Sequence, residues 1–430
     1  MHCRSRHDVP SGFTSPPTAA PITRATARVT ALLTALVATL GAAALTGCFA
    51  DTGTTAEEQP GAPALEPTVE PSAEPPRVPS GAELPGQVIS LDFYDEDHGF
   101  ALLADCPDAP PYTCSYRVAS YDGEAVWRLA QTPLPPVAPS DLDATIQAAG
   151  PGHARLAAVT HGAGLPSEAH AWLTTDGGGS WRATDFEPTG TATGIPQGAL
   201  LSTASAVDGR LAVLLPDTAE YRLLEPQPPL EELGAPGRLS DGRYWVPGLD
   251  ADGDPAVAVW RPEDGGWRTL APLPTAPEFL GSVSHRQLEL ALGPDGLYAF
   301  ETGTADPEED SGFQSGLYRS NLLGIYHSAD DGRTWERVWT HVDTSSRPAS
   351  VFGSPIAAAD GTLVVYADDS IYVSEDGGST FTISRPGPPP EEPALTRAGY
   401  LLTDLDHPGH YRISADGFSW HTIVLGSDET

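Results

Sequence analysis

Lysine is absent from this 430-residue chain, so every cationic side chain other than histidine is one of 23 arginines. Against them stand 58 Asp and Glu residues, which gives a formal net charge of -35. A chain this acidic has no basic surface with which to replace the counterions on a phosphate backbone. The charge balance therefore argues against nucleic acid as a partner.

The first segment has the features of an export signal. Arg24 and Arg28 precede the 18 uncharged residues 29–46, and the string Leu-Thr-Gly-Cys follows, ending at Cys48. A basic region, an apolar region and a small-residue cleavage site form a signal peptide. The ending resembles the lipobox of bacterial lipoproteins, which implies cleavage just before Cys48 and a diacylglycerol on its thiol. The alternative is a transmembrane anchor, for which this run is at the lower limit of length.

Residues 1–47 are therefore predicted to be a lipoprotein signal peptide, and residues 48–86 a lipid-anchored linker rich in proline and glutamate. Proline favours an extended chain and like charges repel, so the linker should be a semi-stiff spacer. Two acyl chains hold a protein firmly on a bilayer. The expected location is the outer face of the bacterial cytoplasmic membrane.

Cysteine is scarce, with four in the chain. Cys3 lies in the signal peptide and Cys48 would carry lipid, which leaves Cys106 and Cys114. This pair is eight residues apart, and in an exported protein it could close a hairpin loop by a disulfide. A zinc site is the alternative, but it needs two further ligands and the intervening sequence offers only Asp108.

No convincing long amphipathic helix occurs between residues 87 and 430. Short β-branched or alternating runs recur there between Gly, Pro and Asp turns, which is typical of an all-β repeat protein. The clearest repeat is an eight-residue unit. Its first residue is Ser or Thr, its third is Asp, its fifth is Gly, its seventh carries a second hydroxyl and its eighth is aromatic. Its members are Ser328, Asp330, Gly332, Thr334 and Trp335; Thr174, Asp176, Gly178, Ser180 and Trp181; Ser374, Asp376, Gly378, Thr380 and Phe381; and Asp416 and Trp420 in a shorter copy.

The residue types of this unit suit a hairpin turn. Asp can accept hydrogen bonds from nearby backbone N–H groups, Gly can adopt a positive φ, and a hydroxyl can cap the exit. The aromatic then begins the next strand and packs on its neighbour. The unit therefore predicts turns that connect antiparallel strands.

The unit resembles the Asp-box, or BNR repeat, of sialidase-like and sortilin-like β-propellers. That resemblance implies that its Asp residues are structural and lie on the face opposite the family's ligand site. A single string from Leu91 to Phe100, with Asp95 and His98 inside it, resembles a turn of Ycf48-type propellers, a family of assembly factors. Residues 87–430 are thus expected to form a β-propeller.

Division of this region by its turns predicts seven four-stranded blades, with six or eight left open. A closed ring of blades removes the exposed edges that an open sheet would leave. The third blade has no Asp-box and is predicted from its strands alone. The predicted spans are 87–136, 140–187, 195–225, 238–275, 281–342, 350–386 and 394–426.

No catalytic signature stands out in the propeller region. Sialidases carry an Arg-Ile-Pro motif and an arginine triad, but no such motif follows the signal region and nothing marks a triad. Serine hydrolase, zinc protease and phosphate-loop motifs are also absent. The prediction is a non-catalytic binding or assembly module for an unknown protein or glycan at the cell envelope. A sialidase-like exo-glycosidase with a degenerate signature is the alternative.

The acidic surplus suggests one candidate site. In a four-stranded blade the loop between the second and third strands lies on the face opposite the Asp-box turns. Several of these loops are acidic, and they would attract calcium or a basic partner. The alternative is that a protein this acidic is acidic everywhere. The candidate residues are Asp250, Asp252, Asp254, Asp306, Asp310, Asp368, Asp369, Asp404 and Asp406.

Overall fold

We analysed a computed structural model of the chain. It describes residues 77–107, 113–124, 126–161, 168–203, 209–274, 283–305, 321–340 and 348–426. The predicted signal peptide, Cys48 and most of the predicted linker lie outside these residues, as do Asp306 and Asp310. The helical content of the described residues is one short 3-10 turn, Pro139–Asp141.

Seven four-stranded sheets follow one another along the chain and form a seven-bladed β-propeller. Their strands are β1 (Gln87–Asp95), β2 (His98–Asp105), β3 (Ser115–Asp122) and β4 (Arg128–Gln131) in blade 1; β5 (Leu142–Gly150), β6 (His153–Thr160), β7 (Glu168–Thr174) and β8 (Arg182–Ala183) in blade 2; β9 (Thr191–Ala192), β10 (Leu200–Ser202), β11 (Ala212–Leu215) and β12 (Glu220–Leu224) in blade 3; β13 (Gly237–Arg238), β14 (Tyr244–Leu249), β15 (Pro255–Arg261) and β16 (Gly266–Thr269) in blade 4; β17 (Val283–Gly293), β18 (Gly296–Ala305), β19 (Asn321–Ser328) and β20 (Glu336–Thr340) in blade 5; β21 (Ile356–Ala357), β22 (Leu363–Tyr366), β23 (Ser370–Ser374) and β24 (Thr382–Pro386) in blade 6; and β25 (Glu391–Thr396), β26 (Gly399–Asp404), β27 (His410–Ser414) and β28 (His421–Val424) in blade 7. The predicted fold class and blade number are confirmed.

The core is divided into seven hydrophobic clusters, and each lies between two neighbouring blades. Phe100 of blade 1 packs with Leu156 of blade 2, for example, and Phe300 of blade 5 packs with Val365 of blade 6. The cluster around Phe93 joins blade 1 to blade 7 through Ile413. Because each sheet is covered on both sides by its neighbours, the strands bury alternating apolar side chains on both faces.

The ring is closed by chain that precedes β1. Gly81 forms a parallel bridge with Leu425, and its N–H donates to Val424 O at 2.8 Å. Val78 and Leu84 are buried in the cluster between blades 7 and 1, and Trp127 Nε1 donates to Pro79 O at 2.8 Å. Residues 78–84, which the sequence analysis assigned to the linker, are thus packed on the propeller.

Six blades run in the same sense, with the first strand at the centre. Their turns between strands one and two and between strands three and four lie on one side, which we call the Asp-turn face. The loops between strands two and three lie on the opposite face, because successive antiparallel hairpins point in opposite directions. Consistent with this geometry, the first strands β1 and β5 contact each other, as do β17 and β21.

Blade 3 runs in the reverse sense. The turn between β11 and β12 accepts a 3.1 Å hydrogen bond at Thr218 O from Arg182 Nη1, and Arg182 directly follows an Asp-containing turn of blade 2. This turn therefore lies on the Asp-turn face. The fourth strand of the blade is β9, which precedes the others and pairs with β12 in parallel. The sequence pattern predicts β11 and β12 but not this arrangement.

Candidate functional site

The Asp-containing turns are held by their own side chains. Thr174 Oγ1 accepts from Gly178 N at 2.9 Å and donates to Asp176 Oδ1 at 2.9 Å. Asp176 also accepts from Ser180 N at 2.8 Å and from Ser180 Oγ at 2.7 Å. Residues 328–335 and 374–381 repeat these bonds, and Asp416 accepts from the N–H groups of Phe418 and Ser419.

These hydrogen bonds stabilise the ionised carboxylates. The backbone and side chain of Thr334 lower the pKa of Asp330 to about 2. The hydroxyl of Ser180 lowers the pKa of Asp176, and that of Thr380 lowers the pKa of Asp376. A carboxylate with both oxygens engaged in its own turn is a poor general acid or nucleophile.

The aromatic residue after each turn contacts the preceding blade. Trp181 Nε1 of blade 2 donates to Gln131 O of blade 1 at 2.9 Å. Phe381 of blade 6 is buried between blades 5 and 6, and Trp335 of blade 5 packs against the cluster between blades 4 and 5. The turns therefore also tie neighbouring blades together.

The predicted disulfide is confirmed, since Cys106 and Cys114 are bonded with their Cα atoms 4.1 Å apart. The bond joins the end of β2 to the start of β3 on the face opposite the Asp turns. Cys114 is fully buried between blades 1 and 2.

Several carboxylates of the acidic loops on that opposite face accept hydrogen bonds from nearby residues of the chain. Asp250 Oδ1 accepts from the N–H groups of Asp252 and Asp254, at 2.9 Å and 3.0 Å. Asp404 Oδ1 accepts from the N–H of Asp406 at 2.9 Å, and Asp369 Oδ2 accepts from a tyrosine hydroxyl. Within the described ranges, no three His, Cys, Asp or Glu side chains are grouped so that they could hold a metal ion.

A different group of residues meets at the centre of the ring on the Asp-turn face. Its members, which we call the arginine–tyrosine cluster, are Tyr94, Gln197, Arg238, Tyr244 and Arg397. They come from blades 1, 4 and 7 and from the segment before β10. Each lies at or beside a strand end near the axis, so chain folding alone brings them together.

Arg397 reaches across the centre from the turn between β25 and β26. Its Nη2 donates to Ala199 O at 2.9 Å and to Tyr244 Oη at 3.1 Å, and its guanidinium lies 5.2 Å from the ring centroid of Tyr94. Its Nη1 donates to Ala149 O at 3.4 Å. Blades 1, 2 and 4 and the segment before β10 are thus linked by one side chain of blade 7.

Arg238 is held by a 3.1 Å hydrogen bond from Nε to Gly242 O, and its guanidinium lies 5.8 Å from the Tyr244 ring centroid. Burial lowers the pKa of Arg238, and the positive charge of Arg397 lowers it further. The two guanidinium groups therefore share one partly desolvated region, where like charges repel.

Asp92 lies on β1, close enough to the cluster for the charge of Arg397 to act on it. Burial raises its pKa to about 6, although hydrogen bonds from Ala148 N and Phe93 N and the charge of Arg397 oppose the shift. Its Oδ2 accepts from Ala148 N at 2.8 Å and its Oδ1 from Phe93 N at 2.9 Å. The bond from Ala148 joins the innermost strands of blades 1 and 2, so Asp92 has a structural role.

The cluster differs from what the sialidase alternative requires. In the part of the chain that the structure describes, two arginines rather than three meet beside tyrosines at the centre. They lie on the Asp-turn face, whereas the family resemblance implies a ligand site on the other face. Sequence reasoning missed these residues because, apart from Arg238 and Tyr244, which flank one turn, they lie near different turns, with no motif or spacing that links them.

Clefts between neighbouring blades open on the same face. One of about 680 Å³ lies between blades 5 and 6 and is lined by Asp295, His327, Asp360, Glu375 and Asp376 among others. His327 contacts Tyr298 with ring centroids 4.7 Å apart and bonds to Asp295 O through Nε2 at 3.2 Å. This cleft therefore adds acidic side chains to the Asp-turn face.

No protein-family model matches this sequence, and comparison with curated proteins finds no match. Solved propellers are similar in fold. A PL25 ulvan lyase shares 10% identity with a TM-score of 0.40, covering 81% of this chain and 95% of its own. TolB from Acinetobacter baumannii shares 13% with a TM-score of 0.31, covering 76% and 79%. An α-L-arabinanase from Penicillium chrysogenum shares 13% with a TM-score of 0.31, covering 82% and 98%.

All three TM-scores are below 0.5, so these similarities carry no argument about what this chain binds. Among the residues that the structure describes, no helix is long and apolar enough to cross a membrane.

Proposed function

We propose that this protein is a lipoprotein, anchored through Cys48 at the outer face of the cytoplasmic membrane, whose propeller binds a protein or glycan partner without catalysis. The signal-like segment and the Pro- and Glu-rich linker in the sequence support the anchor. We assign the binding role to the arginine–tyrosine cluster rather than to the acidic loops.

The observation that carries the proposal is the state of the polar groups in that cluster. Among the described residues the two terminal nitrogens of Arg238 have no hydrogen-bond acceptor, whereas the carboxylate of Asp92 is engaged by two backbone N–H groups. Such an arrangement can hold a ligand by hydrogen bonds and charge. It offers no available pair of carboxylates of the kind that glycoside hydrolysis uses.

The test is cross-linking of the tagged full-length protein in its own membranes, followed by identification of captured partners. Arg238→Gln should lose the specific partner, because a charge-assisted hydrogen bond is removed. Arg385→Gln is the matched control, since Arg385 is exposed on β24 at the rim of blade 6.

Equal capture by wild type, Arg238→Gln and Arg385→Gln would contradict the assignment to this cluster. Turnover is checked separately with a fluorogenic sialoside and the purified propeller. Hydrolysis by wild type that is lost in Arg238→Gln would replace the binding module by the exo-glycosidase alternative.

A further inference from the structure

The geometry of the arginine–tyrosine cluster specifies a ligand chemistry. We infer that Arg238 and Tyr94, assisted by Arg397, bind a single carboxylate group on an otherwise uncharged ligand. The inference rests on the proposed binding function and narrows it to one class of ligand. Its place is the centre of the Asp-turn face.

The cluster has hydrogen-bond donors that its own contacts leave available. Arg238 uses Nε for Gly242 O, and in the described part of the chain its two terminal nitrogens have no hydrogen-bond acceptor. Tyr94 Oη accepts from Gln197 Nε2 at 3.2 Å, which leaves its own proton to be donated. Two parallel N–H groups on a planar guanidinium match the two oxygens of a carboxylate.

Charge also favours an anion at the cluster. The described acceptors of Arg397 are two backbone carbonyls and the Tyr244 hydroxyl. Among the described residues, Asp92 and Asp241 act on the arginine pair through charge and not through a hydrogen bond. Arg238 lies close enough for the two positive charges to repel. An anion between the guanidinium groups would remove this repulsion, and its attraction would be strengthened by partial burial.

Acidic turns near the cluster favour a ligand with a single negative charge. The nearby turn of blade 1 carries Asp95, Glu96 and Asp97, and that of blade 4 carries Asp241. The cleft between blades 5 and 6 adds further carboxylates on the same face. A polyanion would be repelled by these groups, whereas one carboxylate on a neutral body places its charge on the arginine pair alone.

Calorimetric titration of the purified full-length protein with D-glucuronate tests the inference, with D-glucose as the uncharged counterpart and inorganic phosphate as a tetrahedral anion. N-acetyl-L-alanine supplies the same carboxylate from a peptide end. We expect glucuronate to bind and glucose not to bind. Tighter binding of glucuronate than of N-acetylalanine would identify a sugar acid as the source, and the reverse order a peptide terminus.

Arg238→Gln should weaken binding about tenfold or more, because charge-assisted hydrogen bonds are lost. Tyr94→Phe should weaken it about threefold to tenfold through loss of one neutral donor. Arg385→Gln should leave it unchanged. Tyr94→Phe keeps the ring that packs on Arg397, so it remains informative if Arg238→Gln impairs folding.

The inference is overturned if neither carboxylate binds, if phosphate binds more tightly than both, or if Tyr94→Phe and Arg238→Gln bind like wild type. Partner capture that still depends on Arg238 in such a case would leave the proposed binding function standing and remove only the carboxylate assignment. Absence of both carboxylate binding and Arg238-dependent partner capture would contradict the carboxylate assignment and the proposed binding function together.

Discussion

Asp331 of blade 5 accepts a 2.6 Å hydrogen bond at Oδ1 from Arg243 Nη1 of blade 4. Its Oδ2 accepts from Arg261, also in blade 4. Burial would raise the pKa of Asp331, but hydrogen bonds from the two arginines lower it. Asp331 has a φ of 62°, a left-handed conformation that turns its side chain back across the blade boundary.

Asp331→Asn should lower the free energy of unfolding by about 1–2 kcal/mol, because two half-buried guanidinium groups lose their shared anion. Asn tolerates the left-handed backbone, so the change reports on charge rather than on backbone strain. Thermal and denaturant unfolding measure the effect. Asp217→Asn, at an exposed turn position of blade 3, should leave stability unchanged. Equal stabilities for wild type, Asp331→Asn and Asp217→Asn would show that the Asp331 carboxylate does not stabilise the contact between blades 4 and 5.

In each Asp turn, loss of the buried hydroxyl should lower the free energy of unfolding more than loss of an exposed hydroxyl. Ser374 is fully buried, and its Oγ accepts from Gly378 N at 2.8 Å. Ser374→Ala leaves that buried N–H without a partner, which should cost about 1–3 kcal/mol. Ser379→Ala removes an exposed hydroxyl of the same turn and should be nearly neutral in the same unfolding measurement. A larger loss for Ser379→Ala would contradict the assignment.

Stability should fall as the pH rises through about 6 to 7. Burial raises the pKa of Glu289 to about 7, against a hydrogen bond with Ser354, and it raises that of Asp92 to about 6. Both groups hold their protons more tightly in the folded than in the unfolded chain. Their favourable contribution is therefore complete below the unfolded pKa values of about 4 and is lost as the pH rises through the folded values.

Glu289→Gln isolates one of these groups, since Gln can keep the hydrogen bond with Ser354 but cannot ionise. At about pH 8 the variant should be more stable than wild type by about 1–3 kcal/mol, and near pH 4 the advantage should vanish. Unfolding curves across this range measure the difference. Glu187→Gln, at an exposed position, serves as the control, and a pH-independent offset for Glu289→Gln would refute the shifted titration.

The disulfide should contribute about 2–3 kcal/mol by restricting the unfolded chain. Replacement of Cys106 and Cys114 together by Ser should lower the unfolding temperature accordingly. Thiol titration of the unreduced exported protein should find neither cysteine free. Two reactive thiols in that sample would show that the bond does not form in the cell envelope.

Cys48→Ser should release the protein from membranes or leave an unprocessed precursor, because the thiol carries the proposed lipid. Mass spectrometry of the mature protein and detergent partition measure both outcomes. Cys3→Ser lies in the predicted signal peptide and should leave the mature mass unchanged. An unaltered mass and partition in Cys48→Ser would rule out lipidation at this residue.

The fold could be predicted from the sequence because the motifs that specify its turns are local. An Asp, a Gly and two hydroxyls within eight residues specify a hairpin turn by contacts among themselves, as at Thr174 to Trp181. The strands and turns predicted seven blades, with six or eight left open, and the two remaining cysteines, Cys106 and Cys114, predicted a disulfide, with zinc as the alternative. The structure confirms seven blades and the disulfide.

Tertiary structure alone decided the reversed course of blade 3 and the central cluster. Strand β9 ends at Ala192 and β12 begins at Glu220, and the two strands pair in parallel across the 27 residues between them, a pairing that no turn motif marks. Arg397 meets Ala149 and Ala199 at sequence separations of 248 and 198 residues. A side chain's partners at the axis depend on ring closure, which brings together turns from every blade. Turn chemistry determines the blades one at a time, and only the closed ring determines which arginines and tyrosines share its centre.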